Sequence, residues 1–126
     1  MDEIKSIIDD LGNDALEQSV KIAGAAVITD SLDIAYQTSN FDLTNQTHVI
    51  TELINGAQSF VLNNLEFVVE SVTDEGIIAT NKMGMGHGLF IPFQGGVLVA
   101  YAMPGADTTK CLSFLQKYSS KLNGKV

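Results

Sequence analysis

Two histidines, one cysteine and one glycine-rich run are the residues of this sequence best suited to chemistry. His48 falls within a helical pattern and reads as a surface or half-buried side chain. His87 falls inside the run Gly84-Met85-Gly86-His87-Gly88. No histidine, cysteine or carboxylate cluster has metal-ligand spacing. The nucleophile motif GxSxG and the zinc motif HExxH are both missing. The glycine run lacks the GK[ST] ending of a phosphate loop, and it joins two strands rather than a strand to a helix. Cys111 sits on an apolar helical stripe, which predicts a packed thiol rather than a nucleophile. A single cysteine also excludes an intrachain disulfide and a CxxC redox site. The paired acids Asp9-Asp10 and Asp74-Glu75 adjoin turn or cap residues and read as solvated. Asn45-Gln46-Thr47 matches a glycosylation sequon, which matters only on a secretory route. The residues predict a binding protein without metal or cofactor, not an enzyme. A small-ligand sensor would need convergent polar groups in a pocket, and the sequence names none.

Charge is the next feature that could recognise something. Fifteen acids oppose seven bases, giving −8, and every base is lysine. An acidic chain without arginine is poorly suited to nucleic acid or to bidentate phosphate clamping. Residues 1–75 hold fourteen of the acids and only Lys5 and Lys21. Residues 76–126 hold Asp107 and the lysines at 82, 110, 117, 121 and 125, so this third is net positive. If it forms one face, that face would steer an acidic partner. The plainer reading is a lysine-solvated terminal helix.

The elements that must position these residues follow from periodicity. Ile4, Ile7, Ile8 and Leu11 fall at i, i+3, i+4 and i+7, a helical stripe. Gly12-Asn13 is expected to interrupt it, with a short helical piece over 14–20. Residues 22–29 read as a buried strand, and 33–38 as its hairpin partner. Phe41 to Thr44 starts the next element. Val49, Ile50, Leu53, Ile54, Ala57, Phe60 and Val61 keep helical spacing, which predicts a three-turn helix ended by Asn63-Asn64. Strands are expected at 65–73, 76–82, 89–93 and 97–103. Pro92 predicts an edge or a bulge. Asp107 or Thr108 is placed to cap a last helix with the stripe Cys111, Leu115, Tyr118 and Leu122. The order is α-β-β-α-β-β-β-β-α, an antiparallel meander covered by helices. It predicts one α+β domain over 1–126. The chain length of 126 residues fits one core. The opening residues lack a basic stretch leading into an apolar one, and apolar runs stay under ten residues. Neither a secretory leader nor a membrane span is expected, which together with the cysteine usage predicts a cytoplasmic protein.

This order and several local runs resemble the profilin family, most closely over 64–122. The carriers are Ile78-Ala79-Thr80-Asn81-Lys82 entering the glycine bend, Gly95-Gly96-Val97-Leu98-Val99-Ala100-Tyr101 as the last central strand, and Pro104-Gly105 leading into the helix through Cys111 to Leu122. Ala25-Ala26-Val27-Ile28 fits the family's first hairpin. The roadblock/LC7 family is the rival, a homodimeric scaffold that regulates small GTPases, but it usually has five strands. The extra strand at 89–93 favours profilin.

The resemblance implies a sandwich with about six strands, terminal helices on one face and the central helix on the other. It implies a monomer that binds the actin monomer and regulates filament assembly. By position, the implied actin contacts are Val68, Glu70, Thr80, Lys82, Gly105, Thr108, Thr109, Lys110, Ser113 and Lys117. These lie largely in the basic third found from charge. Glu70 departs from the family, where a basic residue is common. Polyproline binding is expected to be weak or absent. The chain has no tryptophan, Ile4 and Ile8 occupy the first helix, and Tyr118 falls about one turn before the expected tyrosine. Phosphoinositide binding is doubtful with scattered lysines and no arginine. The acidic, arginine-free composition looks more like archaeal, Asgard-type profilins than animal ones.

Overall fold

The computed structural model describes residues 2–126, and Met1 lies outside the described residues. The elements run α1 (Asp2–Glu17), β1 (Ile22–Thr29), β2 (Ile34–Gln37), α2 (His48–Ile54), β3 (Ser59–Leu62), β4 (Leu65–Thr73), β5 (Gly76–Asn81), β6 (His87–Phe93), β7 (Gly96–Ala102) and α3 (Thr108–Leu122). One antiparallel sheet holds seven strands in the order β2-β1-β7-β6-β5-β4-β3. β4 to β7 form the expected meander, β3 extends it at one end, and β1 closes against the last strand, β7.

Strand alternation splits the core in two. Ala25 and Val27 face α1 and α3, together with Ile78, Leu89, Leu98 and Ala100. The helices meet them with Ile4, Ile8, Leu11 and Ala15 from α1, and Cys111, Leu115 and Leu122 from α3. Ala26 and Ile28 face the other way, toward Val49, Ile50 and Leu53 of α2. That side holds an aromatic cluster. Phe60 stacks on Phe67 at 5.4 Å and meets Phe90 edge-on at 5.4 Å.

Four expectations need correction. α1 is continuous through Gly12-Asn13. An interior glycine costs about 1 kcal/mol relative to alanine, and the buried stripe Ile4, Ile8, Leu11 and Ala15 outweighs it. The central helix stops at Ile54, and 59–62 forms β3 instead, so the sheet has seven strands rather than about six. Gly56 turns the chain at φ +89°, a conformation costly for any residue with a Cβ. Beyond it Phe60 and Leu62 are buried while Ser59 and Val61 are exposed, which is a period of two. Asn63 and Asn64, at φ +51° and +67°, join Leu62 to its partner Leu65. That is a type I′ hairpin turn rather than a helix stop. His87 lies in β6, not in the glycine loop. Finally, β6 is an inner strand. Pro92 pairs only with Val97 of β7, because the ladder to β5 ends at Phe90, so its missing N–H costs no ladder bond.

Candidate functional site

The β4–β5–β6 ladder sets one row of side chains across the sheet. Val68 pairs with Thr80, Thr80 with His87, and His87 with Ala102. Paired residues point to the same face, here the α1/α3 face that Ile78 and Leu89 occupy further along their strands. Val68, Thr80 and His87 are half-buried. A bulge between Val69 and Ser71 adds Glu70 to this row. The Thr80 hydroxyl donates to a Glu70 carboxylate oxygen, and its oxygen lies 2.9 Å from Nδ1 of His87.

Asn81 shapes the bend that follows β5. Its side chain is buried and its amide donates to the Glu66 carbonyl at 2.8 Å. Its Oδ1 accepts from the N–H groups of Met83 and Met85 at 2.9 and 3.1 Å. The bend therefore presents Lys82, Met83 and Met85 outward, all exposed. Gly86 passes so close to β7 that an added Cβ would stand 2.5 Å from the Ala102 carbonyl oxygen. The Tyr101 hydroxyl donates to the Met85 carbonyl.

α3 begins at this end of the sheet. Asp107 caps it by accepting from the Lys110 N–H at 3.1 Å. Lys110, Ser113 and Lys117 are spaced i, i+3, i+7 and form one exposed stripe. Thr109 is exposed and Thr108 half-buried at the first turn. Gly105 is exposed at φ +85°, in the turn between β7 and α3. None of the ten residues expected at the site is buried. Val68, Glu70 and Thr80 lie together on the strands, Lys82 opens the bend after β5, and the other six occupy the turn before α3 and its first half.

Five neighbours of this group escape a reading of the sequence: Lys21, Asn81, Met83, Met85 and His87. Lys21 belongs beside this group although it lies in the acidic half. The Met103 N–H donates to its carbonyl at 2.9 Å, and a hollow of about 190 Å³ is lined by both Lys21 and Lys110. Finding Lys21 required knowing that β1 pairs with β7. By sequence alone His87 reads as part of the glycine loop and Asn81 only as part of a strand, and the methionines carry no periodic signal.

Among the described residues no group of three histidine, cysteine or carboxylate side chains could hold a metal ion. Burial, and secondarily Asp107, push the Cys111 thiol above its ordinary value against the opposing pull of Lys110. That is the wrong direction for a nucleophile. The terminal helices place Phe114 and Tyr118 inward, with ring centroids 5.1 Å apart and 4% and 3% exposure. The Tyr118 hydroxyl donates to Asp14, and the Lys121 ammonium lies 4.9 Å from its ring centre. Ile4 and Ile8 are likewise buried. No helix among the described residues is long and apolar enough to cross a membrane.

No family model matches the chain. Individual relatives do. The chain is 33% identical to Loki profilin-2 of Lokiarchaeum sp. (strain GC14_75), over 96% of each chain. The chain belongs to the profilin family. Odin profilin of Odinarchaeota yellowstonii (strain LCB_4) is 28% identical over 81% of this chain and 86% of its own. Among solved structures, the Loki profilin-2 complex with rabbit actin superposes with a TM-score of 0.89 at 31% identity, covering 100% of this chain and 99% of that one. Acanthamoeba castellanii profilin IB shares the profilin fold at a TM-score of 0.70 and 16% identity, over 83% of this chain and 87% of its own. The Loki and Odin relatives are archaeal, as the resemblance to Asgard-type profilins implied. The roadblock scaffold reading finds no support in these comparisons.

Proposed function

We propose that this profilin binds the actin monomer and regulates filament assembly, as one cytoplasmic domain spanning 1–126. The observation that carries the reading is its likeness to Loki profilin-2 along the whole chain, where the similar structure is a complex with rabbit actin. The contact face is the strand row Val68, Glu70 and Thr80 with Lys82, flanked by Gly105, Thr108, Thr109, Lys110, Ser113 and Lys117. Lys82, Lys110 and Lys117 meet acidic groups of actin, and the smaller residues let the backbones approach. Occupying one face of the monomer suppresses nucleation while leaving delivery to filament ends open. The protein acts as a monomer and as a binding protein rather than an enzyme.

Polyproline binds weakly or not at all, because a proline helix needs a flat exposed aromatic groove and Tyr118 and Phe114 are turned inward. Phosphoinositides bind weakly for want of arginine. The test is titration into purified monomeric actin with a fluorescent label. Dose-dependent suppression of spontaneous polymerisation supports the reading. No suppression and no binding with either a eukaryotic or an archaeal actin would refute it.

A further inference from the structure

The opposite face of the sheet and the outer edge of β4 carry a second surface, which shares only Glu70 with the proposed actin face. α2 is only seven residues long and leaves part of this face open. Two hollows of about 340 and 360 Å³ lie side by side there and share Leu53, Ile54, Val72 and Ile77 as lining. Together they form one trough. Its walls include two of the most exposed large apolar side chains of the protein, Ile54 at 76% and Val72 at 69%.

The trough runs beside an open strand edge. β3 pairs β4 only from Leu65 to Val68, and the Val69 N–H is met by the Gln58 carbonyl at 2.9 Å. Among the described residues, no strand flanks the outer edge of β4 from Glu70 to Thr73. Such an edge presents unpaired backbone donors and acceptors, a template for an added strand. Charge identifies what would be added. No lysine lines either hollow. On the α1/α3 side of the same edge stand two carboxylates, Glu70, which accepts from Thr80, and Glu75, which accepts from Gln116 of α3 at 3.2 Å, with Asp74 just past the end of β4.

We propose that the β4 edge and its apolar trough bind an extended segment of a partner protein in which lysine or arginine alternates with apolar residues. The segment adds a strand to β4. Its apolar side chains enter the trough between Ile54 and Val72, and its alternating bases point to the other face, toward Glu70 and Glu75. A second copy of this chain does not fit, because edge-to-edge pairing would set Glu70, Asp74 and Glu75 of both copies close together.

The test uses the whole protein and a labelled seven-residue peptide, Lys-Val-Lys-Ile-Lys-Val-Lys, read by fluorescence anisotropy. Saturable binding is expected, weakened about tenfold or more by Val72→Lys or Ile54→Lys. Both positions are exposed, and circular dichroism checks that the variants fold. A peptide with the same residues in separate basic and apolar blocks, and one with proline at the centre, should bind about tenfold more weakly. Equal binding of the block peptide, or unchanged binding by both variants, would overturn the proposal in favour of bulk charge attraction. Dimerisation of the free protein that Val72→Lys abolishes would overturn it in favour of self-pairing. Val72 pairs with Ile77 on the α2 side, away from the row of Glu70 and Thr80, so Val72→Lys should weaken peptide binding while leaving actin binding unaffected.

Discussion

Thr80 and His87 face one another across the β5–β6 ladder, with the Thr80 hydroxyl oxygen 2.9 Å from His87 Nδ1. The single hydroxyl hydrogen of Thr80 goes to Glu70, whose ionised carboxylate can only accept. The same oxygen must then accept from His87, so Nδ1 carries a proton. Nitrogen-15 NMR of the imidazole should find Nδ1 protonated in the native protein. A neutral ring protonated only at Nε2 would contradict the arrangement. Thr80→Val should release the constraint and shift the ring toward an ordinary mixture of tautomers.

Asn81 holds the bend that displays Lys82. It is buried, and three hydrogen bonds satisfy its side chain. Asn81→Ala leaves two backbone donors and one carbonyl without that partner. The expected loss is about 2–4 kcal/mol, read as a lower urea midpoint with an unchanged slope. A loss below about 0.5 kcal/mol would mean that the bend does not depend on it.

The core should respond at Leu115 and stay indifferent at Ile54. Leu115 is fully buried between α3 and the sheet, while Ile54 is largely exposed. Leu115→Ala should cost about 3–5 kcal/mol, whereas Ile54→Ala should stay within about 0.5 kcal/mol. Thermal and urea denaturation of both variants checks the contrast.

Alkaline pH should weaken the contact between α1 and α3. Burial, followed by the hydrogen bond to Asp14, raises Tyr118 above its ordinary value of 10.0. The folded state therefore holds this proton more tightly than the unfolded chain does. The stability so gained is fully present below pH 10 and is lost as pH rises above it. Tyr118→Phe removes the titrating group, so its stability should fall less steeply over that range. Parallel profiles for the two proteins would contradict the assignment.

Legibility in the sequence followed the strength of each local pattern. The run 22–29 contains no polar residue before Thr29, and β1 spans those same residues. The stripe Cys111, Leu115, Tyr118 and Leu122 is buried as its spacing required. The region 49–61 misled because Ala57, Phe60 and Val61 continue a helical spacing by coincidence. Gly56 and the Asn63-Asn64 turn outweigh that spacing, and both are decided by backbone conformation. The lysines of the candidate site were visible as a charge asymmetry. The contribution of Lys21 was not, since it depends on a β1–β7 pairing that joins residues about seventy-five positions apart. The Asn81 network and the bare edge of β4 are also products of tertiary packing, without a signature in residue spacing.

The most direct test of the central claim is affinity for monomeric actin, compared among the native protein, Lys82→Glu and Lys110→Glu at low and at physiological salt. The account predicts micromolar or tighter native binding, about a five- to tenfold loss for each variant, and a weaker salt dependence in both. Native binding that neither substitution changes would contradict the proposed face, and absent native binding would contradict the function itself.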